Sequence, residues 1–435
     1  MIGASKRVVF HIDFNSYFAT IEQQANPRLR GKPIGVTGGD RMERTVLGAV
    51  SVEAKAKGVR GGMTYADAKV LCPDIILVRG DSDKYLYCTK QFLNLLKNFS
   101  PMVEVFSIDE VFLELPASSL DLPIEANLFS NPCKLFEIGE AIKNQIKKRV
   151  GEWVRCSIGV SYNKRMAKFA GSLVKPDGLT IVADEIAAMR LLDQVELDEI
   201  CGIGHRTKKR LHSMGITSFA ALRKVPLEHL LAAFKSYGQV LYDMARGKDE
   251  SPLVTFYEKE EVKSVGHRHT LAHDTSDRLK IEQLFLKLAE MVGRRLRAKN
   301  LAGKTISVWY RAAFNKNYFE MTGDKFYGEG MQGTISHTND GLIIYKTALE
   351  IFDKIWRGES IRMVGVAVSN VKSVDPENLS LLPEVHRNKL ITSALDQIND
   401  RFGEFTLQRG ILLGSHKMKR MPNPFLSDRR FKLAE

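Results

Sequence analysis

The sequence predicts an α+β chain of several domains, and three observations carry that expectation. Apolar runs of strand length alternate with helical stretches as far as about residue 160, and two runs flanking Asp109-Glu110 read as an antiparallel hairpin. Residues 198–220 change character, with two short helical stretches around Gly202-Ile203-Gly204. At 435 residues the chain is too long for one core, and roughly three domains are expected.

The first strand, about 6–13, is the run Val8-Val9-Phe10-His11-Ile12-Asp13, and it feeds a helix that stops at Asn26-Pro27. Residues 31–80 are short elements around Gly38-Gly39, Gly58 and Gly61-Gly62, a small satellite subdomain. The acidic turn Gly38-Gly39-Asp40 lies outside the hairpin and lacks a following acid. A helix near 83–98, the acidic hairpin, a loop rich in Pro, Ser and Asn (116–132), a helix at 134–150 and the strand Val154–Val160 complete the first domain. That succession is compatible with a ferredoxin-like sheet. Residues 198–220 read as helix, glycine hairpin, helix, the second running from His205 to Met214 and closed by Gly215. Glycines let backbone N–H groups approach a phosphate, and Lys208, Lys209 and Arg210 follow. An ordinary αα-hairpin with a glycine turn has the same pattern. The irregular, charged stretch 251–262 reads as a tether to another α/β domain. There a strand (264–270) precedes a long helix (about 277–299) carrying Arg294, Arg295, Arg297 and Lys299, which reads as a solvated face or as a duplex contact. Strands Thr305–Arg311 and Arg362–Asn370 bracket a helix near 341–356.

An apolar fraction of 44% and a charged fraction of 26% are those of an ordinary soluble protein. No stretch approaches the roughly 20 apolar residues that span a bilayer, and no signal-peptide core is visible at the N-terminus. Cys72, Cys88, Cys133, Cys156 and Cys201 show no C-x-x-C spacing, so neither a zinc site nor a disulfide framework is indicated, and a reducing cytoplasm is expected. The net charge of +13 points to a polyanionic partner, and nothing amphipathic argues that this is a membrane.

Acids in apolar strands are costly unless something cationic neutralises them. Asp13 ends the first strand, and Asp109-Glu110 lies within Val105-Phe106-Ser107-Ile108-Asp109-Glu110-Val111-Phe112. If the two segments pair, three carboxylates converge, which is how hard divalent cations are held beside phosphates. Adjacent strand residues face opposite sides, so Asp109 and Glu110 share a metal only at a bend. Taken alone, Asp13 also reads as a helix cap and Asp109-Glu110 as a solvated turn.

The neighbouring motifs favour the first reading. Asp13-Phe14-Asn15-Ser16-Tyr17-Phe18, Ser107-Ile108-Asp109-Glu110, Ser157-Ile158-Gly159-Val160-Ser161 with Asn163-Lys164 and Ala167-Lys168, Lys175-Pro176-Asp177-Gly178 and Cys201-Gly202-Ile203-Gly204 occur in one order. That order resembles the Y-family DNA polymerases, the DinB/UmuC group of translesion enzymes. The resemblance is specific over residues 1–250, weaker over 260–373, and UmuC-like in the tail. It implies a right-hand polymerase: palm 1–25 and 82–185, fingers 26–81, helix–hairpin–helix thumb 186–250, linker 251–262, little finger 263–373 and C-terminal tail 374–435. The implied activity is low-fidelity, template-directed DNA synthesis past damage, as in the SOS response, without proofreading.

By the same resemblance, Asp13, Asp109 and Glu110, with the carbonyl of Phe14, hold two Mg²⁺ ions, for which Mn²⁺ substitutes. Lys168 reaches the triphosphate. Phe18 is the steric gate against a 2′-hydroxyl, and Tyr17 beside it is nearer the core. Gly202, Gly204 and Lys208 grip DNA. Many relatives carry a tyrosine and an arginine on the fingers where this chain has Val52 and Lys55, so the nucleotide is expected to be held loosely. Primer–template DNA and dNTP are the implied substrates of a monomer. Asn378, Leu379, Leu381 and Leu382 resemble a sliding-clamp peptide, with Asn for Gln and Leu for Phe, and also read as a linker packing on its own domain. The tail implies a UmuD-like accessory protein. Two rival readings are a catalytically silent, polymerase-shaped DNA-binding adaptor, for which three clustered acids have no use, and a nucleotidyl cyclase, for which the glycine hairpin and basicity have none.

Overall fold

The computed structural model describes residues 7–38, 46–115, 129–255, 261–315, 318, 320–321, 327–374, 383–403 and 405–413. The chain divides into two compact units on either side of Lys259-Glu260.

The first unit is built around strand β1 (Val8–Phe14). Alternation sends Val8, Phe10, Ile12 and Phe14 into the main core, and Val9, His11 and Asp13 to the other face. Helix α1 (Tyr17–Ala25) ends at Asn26, as the following proline requires. A small sheet follows: β2 (Ile34–Thr37) lies between β3 (Ala49–Val50) and β4 (Ile76–Arg79), with α2 (Val52–Ala56) and α3 (Tyr65–Leu71) between the last two. Its own core is Leu47, Val50, Ala54, Val59, Ala68, Cys72 and Ile75. This is the satellite subdomain.

The chain returns through α4 (Ser82–Leu96) to the hairpin β5 (Val103–Val105) and β6 (Glu110–Leu115), then α5 (Pro132–Arg149), β7 (Cys156–Ser161), α6 (Lys164–Leu173) and β8 (Leu179–Val182). The sheet order is β5-β6-β1-β7-β8. Without β8 this is the ferredoxin-like order, with the first strand between the third and fourth. The ring of Phe14 stacks on Phe92 of α4 at 4.2 Å on the core face. Helix α6 packs on the opposite face, so close that a Cβ on Gly159 would lie 2.1 Å from the backbone of Ala167 and Gly171. Glycine is required there by the approach of two backbones.

Helices α7 (Glu185–Leu192), α8 (His205–Ser213), α9 (Phe219–Lys224), α10 (Leu227–Phe234) and α11 (Tyr237–Met244) enclose Leu197, Ile203, Leu211, Phe219, Leu222, Leu230 and Leu241. The segment before the glycine hairpin is a single 3₁₀ turn, Leu197–Glu199, rather than a full helix. Within the expected tether, residues 251–255 are fastened to this unit. Leu253 is buried with Val9, Phe112 and Ala167, and the Val254 N–H donates to Glu104.

The second unit is an antiparallel sheet in the order β11-β10-β12-β9, made of β9 (Ser264–Thr275), β10 (Leu301–Ala312), β11 (Gly328–Thr338) and β12 (Ile361–Ser373). Helices α12 (Arg278–Arg297) and α13 (Gly341–Ile355) bury Leu284, Phe285, Leu288 and Phe352 against Val308, Tyr310, Val364 and Val366. A further helix, α14 (Pro383–Phe402), is tied to α12 by ion pairs. Arg297 forks onto Asp396 at 2.6 and 2.9 Å, and Arg294 pairs with Asp400. Arg295 donates to the Gly266 carbonyl. The arginines read as a solvated or duplex-facing cluster are therefore engaged within the unit itself.

Candidate active site

The carboxylates meet where β1 ends. Asp13 stands opposite Glu110 in the antiparallel register of β1 and β6, and both project to the α6 face. Asp109 lies just before β6, in the bend that sharing of a metal demands. Phe106 and Ser107 N–H both donate to the Glu110 carbonyl (3.0 and 3.1 Å), and the Phe14 N–H donates to the Asp109 carbonyl (3.0 Å). The Asp109 carboxyl accepts from Ser107 Oγ at 2.6 Å.

Two lysines converge on the acids. Lys168 of α6 lies 2.5 Å from Glu110 Oε2, with its ammonium 4.6 Å from the centre of the Phe106 ring. Lys175 lies 2.6 Å from Asp13 Oδ2. The Lys175 turn is tied to β1 by Asn15, whose Oδ1 accepts from the Asp177 N–H at 2.8 Å and whose Nδ2 donates to Ser157 Oγ at 3.1 Å. Burial opposes charge on Glu110, but the neighbouring His11 imidazole and the hydrogen-bonded Lys168 ammonium outweigh it and hold the carboxyl down at about 2. Burial pushes Asp109 the other way, helped by the charges of Asp13 and Glu110. His11 is buried, its pKa lowered mainly by desolvation, and Nε2 is 3.9 Å from Glu110 Oε2.

Ligand atoms of His11, Asp13 and Glu110 lie within 4.8 Å of one another. Hard oxygen donors that already draw two ammonium groups fit a divalent cation. Asp109 borders this group with its carboxyl turned to Ser107.

The remaining predicted residues are distributed as follows. Phe18 is 5% exposed and packs on Tyr85 at 4.4 Å between ring centres. Tyr17 is a core residue whose hydroxyl bonds the Tyr85 carbonyl and Thr89 Oγ1, both at 2.8 Å. Val52 begins α2. The Lys55 amine, three residues on, is lowered by crowding and by Lys175, and feels Asp13 and Asp109. It therefore lies within electrostatic reach of the acids. Gly202 has φ 117°, and Gly204 caps α8 with open space beside it. Lys208 pairs with Asp198 (2.7 Å) and Glu196 (3.2 Å). Asn378, Leu379, Leu381 and Leu382 lie outside the described residues. Sequence alone singles out no role for Lys175, Asn15 or His11. The Lys-Pro-Asp-Gly turn was visible, but only the fold brings it to β1.

Similarity to known proteins identifies the family. The impB/mucB/samB family model matches residues 12–172, its C-terminal domain 262–381, and a DNA polymerase-iota thumb domain 198–249. DNA polymerase IV of Pelotomaculum thermopropionicum is 34% identical over 92% of this chain and 94% of its own. The chain belongs to the Y family of DNA polymerases. DNA polymerase IV of Moorella thermoacetica is 31% identical over 92% of this chain and 95% of its own. A solved Y-family DNA polymerase chimera of Dbh and Dpo4 shares the fold, with a TM-score of 0.68 at 24% identity, covering 84% of this chain and 99% of that one. The Y-family fold has palm, fingers, thumb and little finger, and its chemistry is nucleotidyl transfer to DNA. No helix among the described residues is long and apolar enough to cross a membrane.

Proposed function

We propose that this Y-family polymerase carries out low-fidelity translesion synthesis at the Asp13–Asp109–Glu110 centre. The observation that carries the assignment is the in-register pairing of Asp13 with Glu110, with Asp109 in the bend beside them. These carboxylates, with the carbonyl of Phe14, are the group that would hold two Mg²⁺ ions, Mn²⁺ being a substitute. When bound, such ions activate the primer 3′-hydroxyl and neutralise the triphosphate.

The chain's own residues orient the reactants. Lys175, bonded to Asp13, and Lys55, within electrostatic reach of Asp13 and Asp109, are the cations we assign to the triphosphate. The 2.5 Å bond to Glu110 supports a different role for Lys168, that of holding this carboxylate ionised and in place. Phe18, fixed by Tyr85, blocks the volume of a 2′-hydroxyl. Val52 offers the phosphates no hydrogen bond, so α2 contributes charge through Lys55 alone. Gly202, Gly204 and Lys208 contact the DNA backbone.

The same reading assigns palm to 1–25 and 82–185, fingers to 26–81, thumb to 186–250 and little finger to 263–373. It also gives a cytoplasmic monomer that engages a sliding clamp through Asn378–Leu382 and a UmuD-like protein through its tail. The test is primer extension with Mg²⁺ or Mn²⁺ on intact and abasic templates. Insertion opposite the abasic site that vanishes in Asp109→Ala supports the reading, and full activity in that variant overturns it.

A further inference from the structure

Helix α2 carries the fingers' contribution to the nucleotide site, yet it is five residues long. So short a helix has little rigidity of its own, and its orientation is set by what holds its flanks. At 3.6 residues per turn, Val52 and Lys55 share one face, while Glu53 points to nearly the opposite side from Lys55.

On that opposite side Glu53 meets Gln23 of α1. Gln23 is 2% exposed and works as a hub. Its Nε2 donates to Glu53 Oε2 at 3.1 Å and to the carbonyls of Leu29 and Lys32 at 3.2 Å, and its Oε1 accepts from Trp153 Nε1 at 3.1 Å. The guanidinium groups of Arg30 and Arg155 each lie 5.6 Å from the centre of the Trp153 ring. The Arg155 carbonyl in turn accepts from the N–H of Asn15, the residue that fixes the Lys175 turn. One buried amide thus connects α2 to the helix bearing Phe18 and to the strand entry behind Asp13.

We propose that Gln23 and Glu53 are positioning residues for nucleotide binding: their hydrogen bond fixes the tilt of α2 on α1 and thereby the reach of Lys55 to the triphosphate. This rests on the assignment of Lys55 to the triphosphate made above. A charged acceptor half-buried against a neutral amide makes one of the stronger hydrogen bonds, so its removal frees α2 without touching the reacting atoms.

The experiment is single-turnover insertion of a correct deoxynucleotide by full-length protein carrying Glu53→Ala, Glu53→Gln, Lys55→Ala, or Glu53→Ala with Lys55→Ala. Lys55→Ala should weaken nucleotide Kd about tenfold or more. Glu53→Ala should weaken it about threefold to tenfold, with a smaller change in the maximal insertion rate and unchanged primer–template affinity. Glu53→Gln keeps an oxygen acceptor and should restore most of the affinity. In the Lys55→Ala background, Glu53→Ala should add nothing, because coupled residues are not additive. Unchanged Kd in Glu53→Ala, or fully additive losses in the double variant, overturns the positioning role while leaving Lys55 in place. Unchanged Kd in Lys55→Ala overturns the assignment of Lys55 and this inference with it.

Discussion

Two neighbouring carboxyls at one bend are driven apart in acidity, because Glu110 has a lysine and Asp109 has burial. The folded pKa of Glu110, about 2, lies below its ordinary value of 4.5, so its ionisation stabilises the folded protein above pH 4.5. That contribution is lost as pH falls from 4.5 through 2. Lys168→Met removes a principal cause, so it should raise this pKa and move acid unfolding to higher pH, which circular dichroism against pH would register. An unmoved acid transition would mean that Lys168 is not what holds Glu110 down. Asp109→Ala and Glu110→Ala should abolish extension, with a loss on the order of several kcal/mol of barrier stabilisation, while gel-shift affinity for primer–template stays nearly constant. Phe18→Ala should erode the preference for deoxynucleotides, measured as the ratio of kcat/KM for a dNTP to that for its ribonucleotide. An unchanged ratio makes Phe18 a core residue alone. The acids were legible in the sequence because charge at a strand end has to be explained. Lys175 was not, since a lysine in a turn looks the same whether it faces solvent or Asp13.

Among the elements, the strands and helices with a clear apolar period were found within a few residues, as with α12, expected near 277–299 and observed at Arg278–Arg297. Strand β11 is not legible in the sequence because Gly328, Gly330 and Gly333 interrupt any alternation and most of its residues are exposed, so it owes its place to pairing with β10. Helix α14 is hidden in the sequence for a related reason. Its partner is α12, and an ion pair such as Arg297 with Asp396 spans residues that sequence spacing cannot connect. Arg297→Ala should therefore speed hydrogen exchange across 387–402 and leave the salt dependence of DNA binding unchanged. A flatter salt dependence would return Arg297 to the duplex. Packing of α6 on the sheet is as exacting. Gly159→Ala forces a methyl group onto two backbones, and overpacking of this kind costs about 1–3 kcal/mol or more. A lower Tm together with slower insertion is expected, because α6 carries Lys168.

Across the whole chain, a net charge of +13 surrounds a centre whose residues are acids. Binding of primer–template DNA should follow counterion release, so log K should fall linearly with log salt and differ little between unrelated duplex sequences. Not every cation contributes to that slope. A lysine already paired with an acid must exchange one partner for another before it meets a phosphate, and Lys208 is held by both Asp198 and Glu196. If Lys208 makes that exchange, Lys208→Ala should reduce the slope by about one. Asp198→Asn removes the nearer competitor and should strengthen binding at every salt concentration, because the ammonium keeps its charge and then has only Glu196 to leave for the phosphate. Fluorescence anisotropy over a salt series reads both effects on the same duplex. A parallel slope in Lys208→Ala, with no gain in Asp198→Asn, would show that the glycine hairpin binds phosphate through its backbone amides alone, and that Lys208 serves to tie α8 to the turn before it.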